Sequence, residues 1–187
     1  MNLGLKDRTI LVTGSSSGIG RATAIAFGKE GAWVAVTYHQ NREGAENTAI
    51  QVREAGGQAL VVQYDLTDAT SIRSSIETIQ KTWGALNVLV NNAAQMDEAL
   101  PAKQLFEDVP LENWQTMLRG TLEGVTLTVQ RALPLMRSSG WGPDCEYLVR
   151  CRHQWVARLG TLCNSKSGFA WINPNAGIRA WTREYPE

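Results

Sequence analysis

The first 144 residues contain no cysteine, and the whole chain of 187 residues has three. A disulfide-stapled scaffold is therefore excluded for that stretch, which must fold on an apolar core. Cys145, Cys151 and Cys163 all lie in the last quarter, with His153 nearby. Their odd count and spacing match no zinc pattern, so no metal site is expected. Neither sign of charge dominates: Lys plus Arg is 18 and Asp plus Glu is 18. That balance excludes bulk attraction to nucleic acid or to an anionic membrane. No apolar run approaches the ~20 residues that would span a bilayer. Met1 to Asp7 lacks the apolar stretch of a secretory signal. The expectation is a soluble, cytoplasmic protein with no membrane or nucleic-acid partner. Arg150, Arg152 and Arg158 with Trp155 in the tail could form a nucleic-acid or membrane patch, but random reading frames often produce such runs, and strong salt-dependent DNA binding would be needed to support that alternative.

What is present is a regular alternation. The apolar run 9–12 ends in a glycine-rich turn and predicts a buried strand. A helix follows over 21–30, with Ala22, Ala26 and Phe27 toward a sheet and Gly31 closing it. Strands are predicted over 33–38, 59–64 and 86–90, and helices over 43–55 and 68–83. In the last of these helices Ile72, Ile76 and Ile79 fall at helical spacing. A long helix is predicted over 111–138, with Pro110 just ahead, Gly140 just beyond, and Pro134 distorting its last turn. Strand and helix alternate as far as residue 138, which builds a doubly wound parallel α/β sheet with helices on both faces.

The turn after the first strand reads Thr13-Gly14-Ser15-Ser16-Ser17-Gly18-Ile19-Gly20. Glycines allow a tight turn and a close backbone approach to a pyrophosphate, and the following helix offers free N–H groups to that anion. A glycine-rich turn alone is weak, but here it lies between a strand and a helix as a Rossmann-type site requires. With Asn91-Asn92-Ala93-Ala94 after the fourth strand, this Gly-x-x-x-Gly-x-Gly form resembles the short-chain dehydrogenase/reductase family over residues 5 to 141. Within that family it is nearest the branch that reduces 3-oxoacyl thioesters and related small carbonyls.

The resemblance implies an oxidoreductase that moves hydride between a nicotinamide dinucleotide and a small carbonyl or alcohol. It implies that Gly14, Ser16, Ser17, Gly18, Ile19 and Gly20 line the pyrophosphate and ribose. Asp65 would meet the adenine amino group with Leu66 alongside, the alternative being a turn carboxylate. Asn92, Ala93 and Ala94 would contact the inner ribose, and Asn91 would tie neighbouring strands together. An NAD enzyme of this fold places an acid at the end of the second strand. This chain has Tyr38-His39-Gln40-Asn41-Arg42 and no acid before Glu43. Tyr38, Asn41 and Arg42 thus favour NADP(H) over NAD(H), since Asn41 and Arg42 suit a 2′-phosphate. The alternative for Arg42 is an ordinary solvated residue at a helix start.

The catalytic set implied by the family is missing. It needs a Ser, a Tyr-x-x-x-Lys and an Asn, and no Tyr here is followed four positions later by Lys. Thr121 occupies the family's Asn position, aligned through Trp114 and Gly124. No catalytic residue is intact.

After Gly142 the periodicity stops, apart from a possible strand at Tyr147-Leu148-Val149. Read one base out of frame from Pro143, the tail admits codon choices that restore what the family places there. A Ser arises across Val149 and Arg150, a Tyr across Leu162 and Cys163, and a Lys across Lys166 and Ser167. Trp155 before Val156 and Trp171 before Ile172 each force a Gly. The expectation is a C-terminally truncated Rossmann-type domain over 1–142 and an out-of-frame, non-native, poorly ordered tail over 143–187. The fourth strand would lack its outer neighbour, stability would be marginal, and family homo-oligomers, which pair through helix 111–138, would be doubtful.

Overall fold

A computed structural model of the chain describes residues 4–94, 105–140, 147–149, 171–173 and 177–179. Strands β1 (Thr9–Val12), β2 (Trp33–Tyr38), β3 (Gln58–Gln63) and β4 (Val88–Asn91) are parallel, in the order β3-β2-β1-β4. Helices α1 (Gly18–Lys29), α2 (Arg42–Glu54) and α3 (Ala69–Trp83) connect them. Every residue of β1 is buried, as a central strand covered on both faces must be.

Alternation along β1 sends its side chains into two separate cores. Ile10 and Val12 join Val34, Val36, Ala24, Ala45, Ala49 and Val52 beneath α1 and α2. Leu11 joins Ala35, Leu89, Ile76 and Ile79, together with Ala132, Leu135 and Met136 from the last long helix. The sheet is thus doubly wound, as its sequence pattern predicts. The residues of α1 that face inward differ from expectation. Gly20, Ala24 and Gly28 are buried, whereas Ala22 and Ala26 are exposed. The cause is close helix packing: a Cβ on Gly28 would stand 2.8 Å from the Val52 carbonyl oxygen. Only the smallest side chains fit that seam.

The predicted long helix comprises α4 (Leu111–Leu118), a π-helical segment Arg119–Glu123 and α5 (Gly124–Ser138). The irregular turn lies at the π segment, and α5 continues through Pro134 to Ser138. At Gly124 the helix meets the Leu66 carbonyl so closely that any Cβ would collide with it. Among the described residues no helix is long and apolar enough to cross a membrane.

The expectation that β4 lacks an outer neighbour is corrected. A short strand β5 (Tyr147–Val149) pairs with it in parallel, Leu89 opposite Tyr147 and Asn91 opposite Val149. An open parallel edge offers unpaired N–H and C=O groups, and Tyr-Leu-Val suits a pleated partner. Two further strands, β6 (Trp171–Asn173) and β7 (Gly177–Arg179), pair antiparallel and were not legible in the sequence. The rest of the tail, with its cysteines and its expected disorder, lies outside the described residues.

Candidate functional site

The three glycines of the turn answer three different demands. Gly14 has φ +65°, and a Cβ there would lie 2.9 Å from Ala93 Cα. Gly18 has φ +55° but opens onto empty space. A Cβ on Gly20 would strike the Gly14 carbonyl and come within 2.6 Å of Asn92 Nδ2. Ser17 N-caps α1, yet its side chain makes no capping hydrogen bond. The first N–H groups of α1 are therefore left for an outside acceptor, with the positive end of the helix dipole behind them. Ile19 is exposed beside them, and the Ser16 carbonyl accepts a 2.6 Å bond from the Arg21 guanidinium. This cradle fits the pyrophosphate of a dinucleotide.

A buried hydroxyl network that sequence reasoning missed holds the turn. Thr37 Oγ1 accepts from Gly14 N–H at 2.8 Å and donates to the Val12 carbonyl at 3.2 Å. Ser15 Oγ donates to the same carbonyl at 2.7 Å and accepts from Thr37 N–H at 2.8 Å. Thr13 Oγ1 donates to the Val90 carbonyl and accepts from the backbone N–H groups of Asn92 and Ala93. In sequence these are ordinary short polar residues, and only the fold brings Thr37 to the turn. Thr37→Val is expected to leave the Gly14 N–H without its acceptor and to cost about 1–3 kcal/mol. Urea unfolding checks this; Thr37→Ser should recover most of the loss, and a Val variant as stable as the parent would remove the role.

At the end of β4, Asn92 Nδ2 donates to the carbonyls of Thr13 and Gly14, at 3.0 and 3.1 Å. Asn92 and Ala93 thereby join β4 to the glycine turn, and Ala94 follows at the surface. The expected tie through Asn91 is not made. Asn91 is buried, and neither of its amide atoms has a hydrogen-bond partner among the described residues. The β5 backbone that lies opposite offers it none.

At the far end of β2, Tyr38 closes the strand half-buried. Asn41 caps α2, its Oδ1 accepting from Gly44 N–H at 2.9 Å. Arg42 is exposed and pairs with Glu46 at 3.6 Å, a weak contact by geometry and solvation. Asp65 Oδ1 accepts from Thr67 N–H at 2.8 Å and Thr67 Oγ1 at 2.7 Å, while Oδ2 lies 3.3 Å from His39 Nε2. Partial burial raises the Asp65 pKa, but the two Thr67 bonds and His39 outweigh it and hold the carboxyl below its ordinary value. Leu66 is a core residue, packed with Tyr64 and Ile72. Asp68 caps α3 through Thr70 N–H.

No acid–base machinery is assembled among the described residues. Thr121 lies in the π segment, and its side chain lies outside the description. The Tyr64 hydroxyl bonds Thr128 Oγ1 at 2.7 Å, and burial pushes its pKa up to about 12. That direction is wrong for a tyrosine that must give or take a proton near neutral pH. Tyr64 is a strut between β3 and α5.

Comparison with known proteins gives concordant results. The sequence profile described as short chain dehydrogenase matches residues 8–143. Glucose 1-dehydrogenase 2 of Bacillus subtilis is 36% identical over 130 residues, which cover 69% of this chain and 48% of that protein. The 3-oxoacyl-[acyl-carrier-protein] reductase FabG of Staphylococcus aureus is 32% identical over 129 residues, 69% of this chain and 50% of its own. The chain thus spans about half the length of these curated relatives. Among solved structures, the NADH-dependent reductase A1-R' complexed with NAD matches with a TM-score of 0.68 and 27% identity, over 75% of this chain and 56% of that one. A short-chain type dehydrogenase/reductase from Mycobacterium marinum matches with a TM-score of 0.69 and 28% identity, over 79% and 56%. Glycine turn, sheet order and matched sequence agree: the chain belongs to the short-chain dehydrogenase family.

Proposed function

We propose that this chain is the dinucleotide-binding part of an NADP(H)-dependent oxidoreductase acting on a small carbonyl or alcohol, and that as written it turns over little or nothing. The observation that carries the binding is the uncapped start of α1 behind Gly14, Gly18 and Gly20. The dinucleotide supplies the hydride acceptor or donor. The chain's residues supply anchorage: α1 N–H groups for pyrophosphate, Asn92, Ala93 and Ala94 for the inner ribose, Asp65 and Leu66 for adenine. Tyr38, Asn41 and Arg42 support a 2′-phosphate, because no acid stands between the end of β2 and Glu43. The idle chemistry is supported by the missing Tyr-x-x-x-Lys and by a family match that stops at 143, beside the break after Gly142. A cytoplasmic location, with no nucleic-acid or membrane partner, accords with the balanced charge.

Isothermal titration of the full chain with NADPH and NADH tests this. NADPH is expected to bind saturably and more tightly, and Arg42→Glu to weaken it about tenfold or more, about 1.4 kcal/mol. Absence of saturable binding of either dinucleotide overturns the proposal. A second reading, an interaction protein that joins other chains through helix 111–138, is supported by exposed Leu111 and Leu118 and by the apolar groove of Leu118, Leu122 and Leu127. Self-association without dinucleotide binding would favour it.

A further inference from the structure

A cradle made of backbone N–H groups receives an anion only while its carbonyl oxygens are turned out of it. Two residues hold four carbonyls of this turn. Asn92 Nδ2 takes those of Thr13 and Gly14. Arg21 takes the next pair: its Nη2 donates to the Ser16 carbonyl at 2.6 Å, and its backbone N–H donates to the Ser17 carbonyl at 3.1 Å.

Arg21 is itself steered by α2. Its Nε donates to Thr48 Oγ1 at 3.1 Å, and that hydroxyl donates to the Gly44 carbonyl at 2.8 Å. Gly44 lies so close to the turn that a Cβ there would stand 2.6 Å from the Ser16 oxygen. The Ser16 carbonyl thus points toward α2. The described peptide bonds are all trans, and in a trans peptide the N–H lies antiparallel to the C=O. The Ser17 N–H therefore points away from α2, on the exposed stretch Ser17-Gly18-Ile19.

The charge of Arg21 stands where the helix alone would not favour it. Arg21 is half-buried at the end of the first turn of α1, near the positive pole of the dipole. That turn holds no acid, and among the described residues no carboxylate pairs with the guanidinium. We propose that Arg21 is a positioning residue for dinucleotide binding: from the α2 side it fixes the Ser16–Ser17 peptide with its oxygen away from the pyrophosphate and its N–H toward it. The proposal rests on the dinucleotide reading above. Without Arg21 the peptide is free to rotate and to turn a carbonyl dipole toward the anion.

The test is calorimetric titration of the full chain with NADPH and NADH, with urea unfolding of each variant alongside. Arg21→Met is expected to weaken both dinucleotides equally, about tenfold, because both carry the same pyrophosphate. Its urea midpoint is expected to move little. Thr48→Val removes no charge, and is expected to weaken both about 3-fold and to add nothing in the Arg21→Met background. A loss confined to NADPH makes Arg21 a direct partner of the 2′-phosphate and overturns the positioning role. A lower midpoint with unchanged affinity makes it a strut and overturns it too. So does a Thr48→Val variant that binds as the parent does, and this variant decides alone should Arg21→Met fail to fold. Each of these outcomes leaves dinucleotide binding standing. A parent chain that binds neither dinucleotide overturns that reading and the role of Arg21 with it.

Discussion

Removing one base between codons 142 and 143 is expected to give a chain that oxidises NADPH with small ketones at least ~10³-fold faster than the chain as written. General acid–base catalysis contributes 10²–10⁴-fold, roughly, where it is present. The Tyr-x-x-x-Lys that would supply it exists only in the shifted reading of residues 143–187. The one described tyrosine with a displaced pKa, Tyr64, is moved up to about 12 and is bonded to Thr128 inside the fold. It cannot substitute. The measurement is loss of reduced nicotinamide absorbance over a panel of small ketones, both chains compared at equal dinucleotide occupancy. Equal, idle rates would sink the frame-shift reading; brisk turnover by the chain as written would sink the loss of catalysis. The coding DNA gives an independent check, since the shifted Tyr and Lys require CTA or TTA at Leu162, and AAA at Lys166 followed by AGT or AGC at Ser167.

Gly20→Ala is expected to lower stability by about 3 kcal/mol and to weaken dinucleotide binding on the order of 100-fold. Its Cβ would run into the Gly14 carbonyl and the Asn92 side chain. The neighbours have nowhere to retreat: Gly14 is held by Thr37, and Asn92 bonds Thr13 and Gly14. Any relief must move the turn proposed to receive the pyrophosphate. Gly18→Ala is the contrasting case. It meets no atom within 4 Å and bears only the left-handed φ of +55°, worth roughly 1–2 kcal/mol. Denaturation midpoints and NADPH titrations should therefore rank Gly20→Ala well below Gly18→Ala. Equal effects would mean that backbone conformation, not crowding, dictates these glycines.

The elements legible in the sequence were those with a period. Strand β2 and helix α3 announce themselves through five strand formers in six residues and through Ile72, Ile76 and Ile79. The buried seam of α1 was not legible, because Gly20 and Gly28 carry no hydrophobic signal and are selected by the approach of other backbones. The glycine cradle was legible because strand, turn and helix are contiguous. Thr37 and His39 were not, since their partners stand more than twenty positions away and are reached only through strand register. Asn91 shows the opposite error: a residue type that suits a strand tie, at a position where no described group answers it.

The sheet order bears on synthesis. β1 to β4, the turn and Asn92 to Ala94 all lie before residue 95. Each strand pairs with one already made as the nascent chain leaves the ribosome, β2 on β1, β3 on β2, β4 on β1. Domains fold as units during translation, N-terminal parts first. The nucleotide cradle can therefore be complete before any codon after 142 is decoded, and an altered message beyond that point changes what is attached to it without rewriting it.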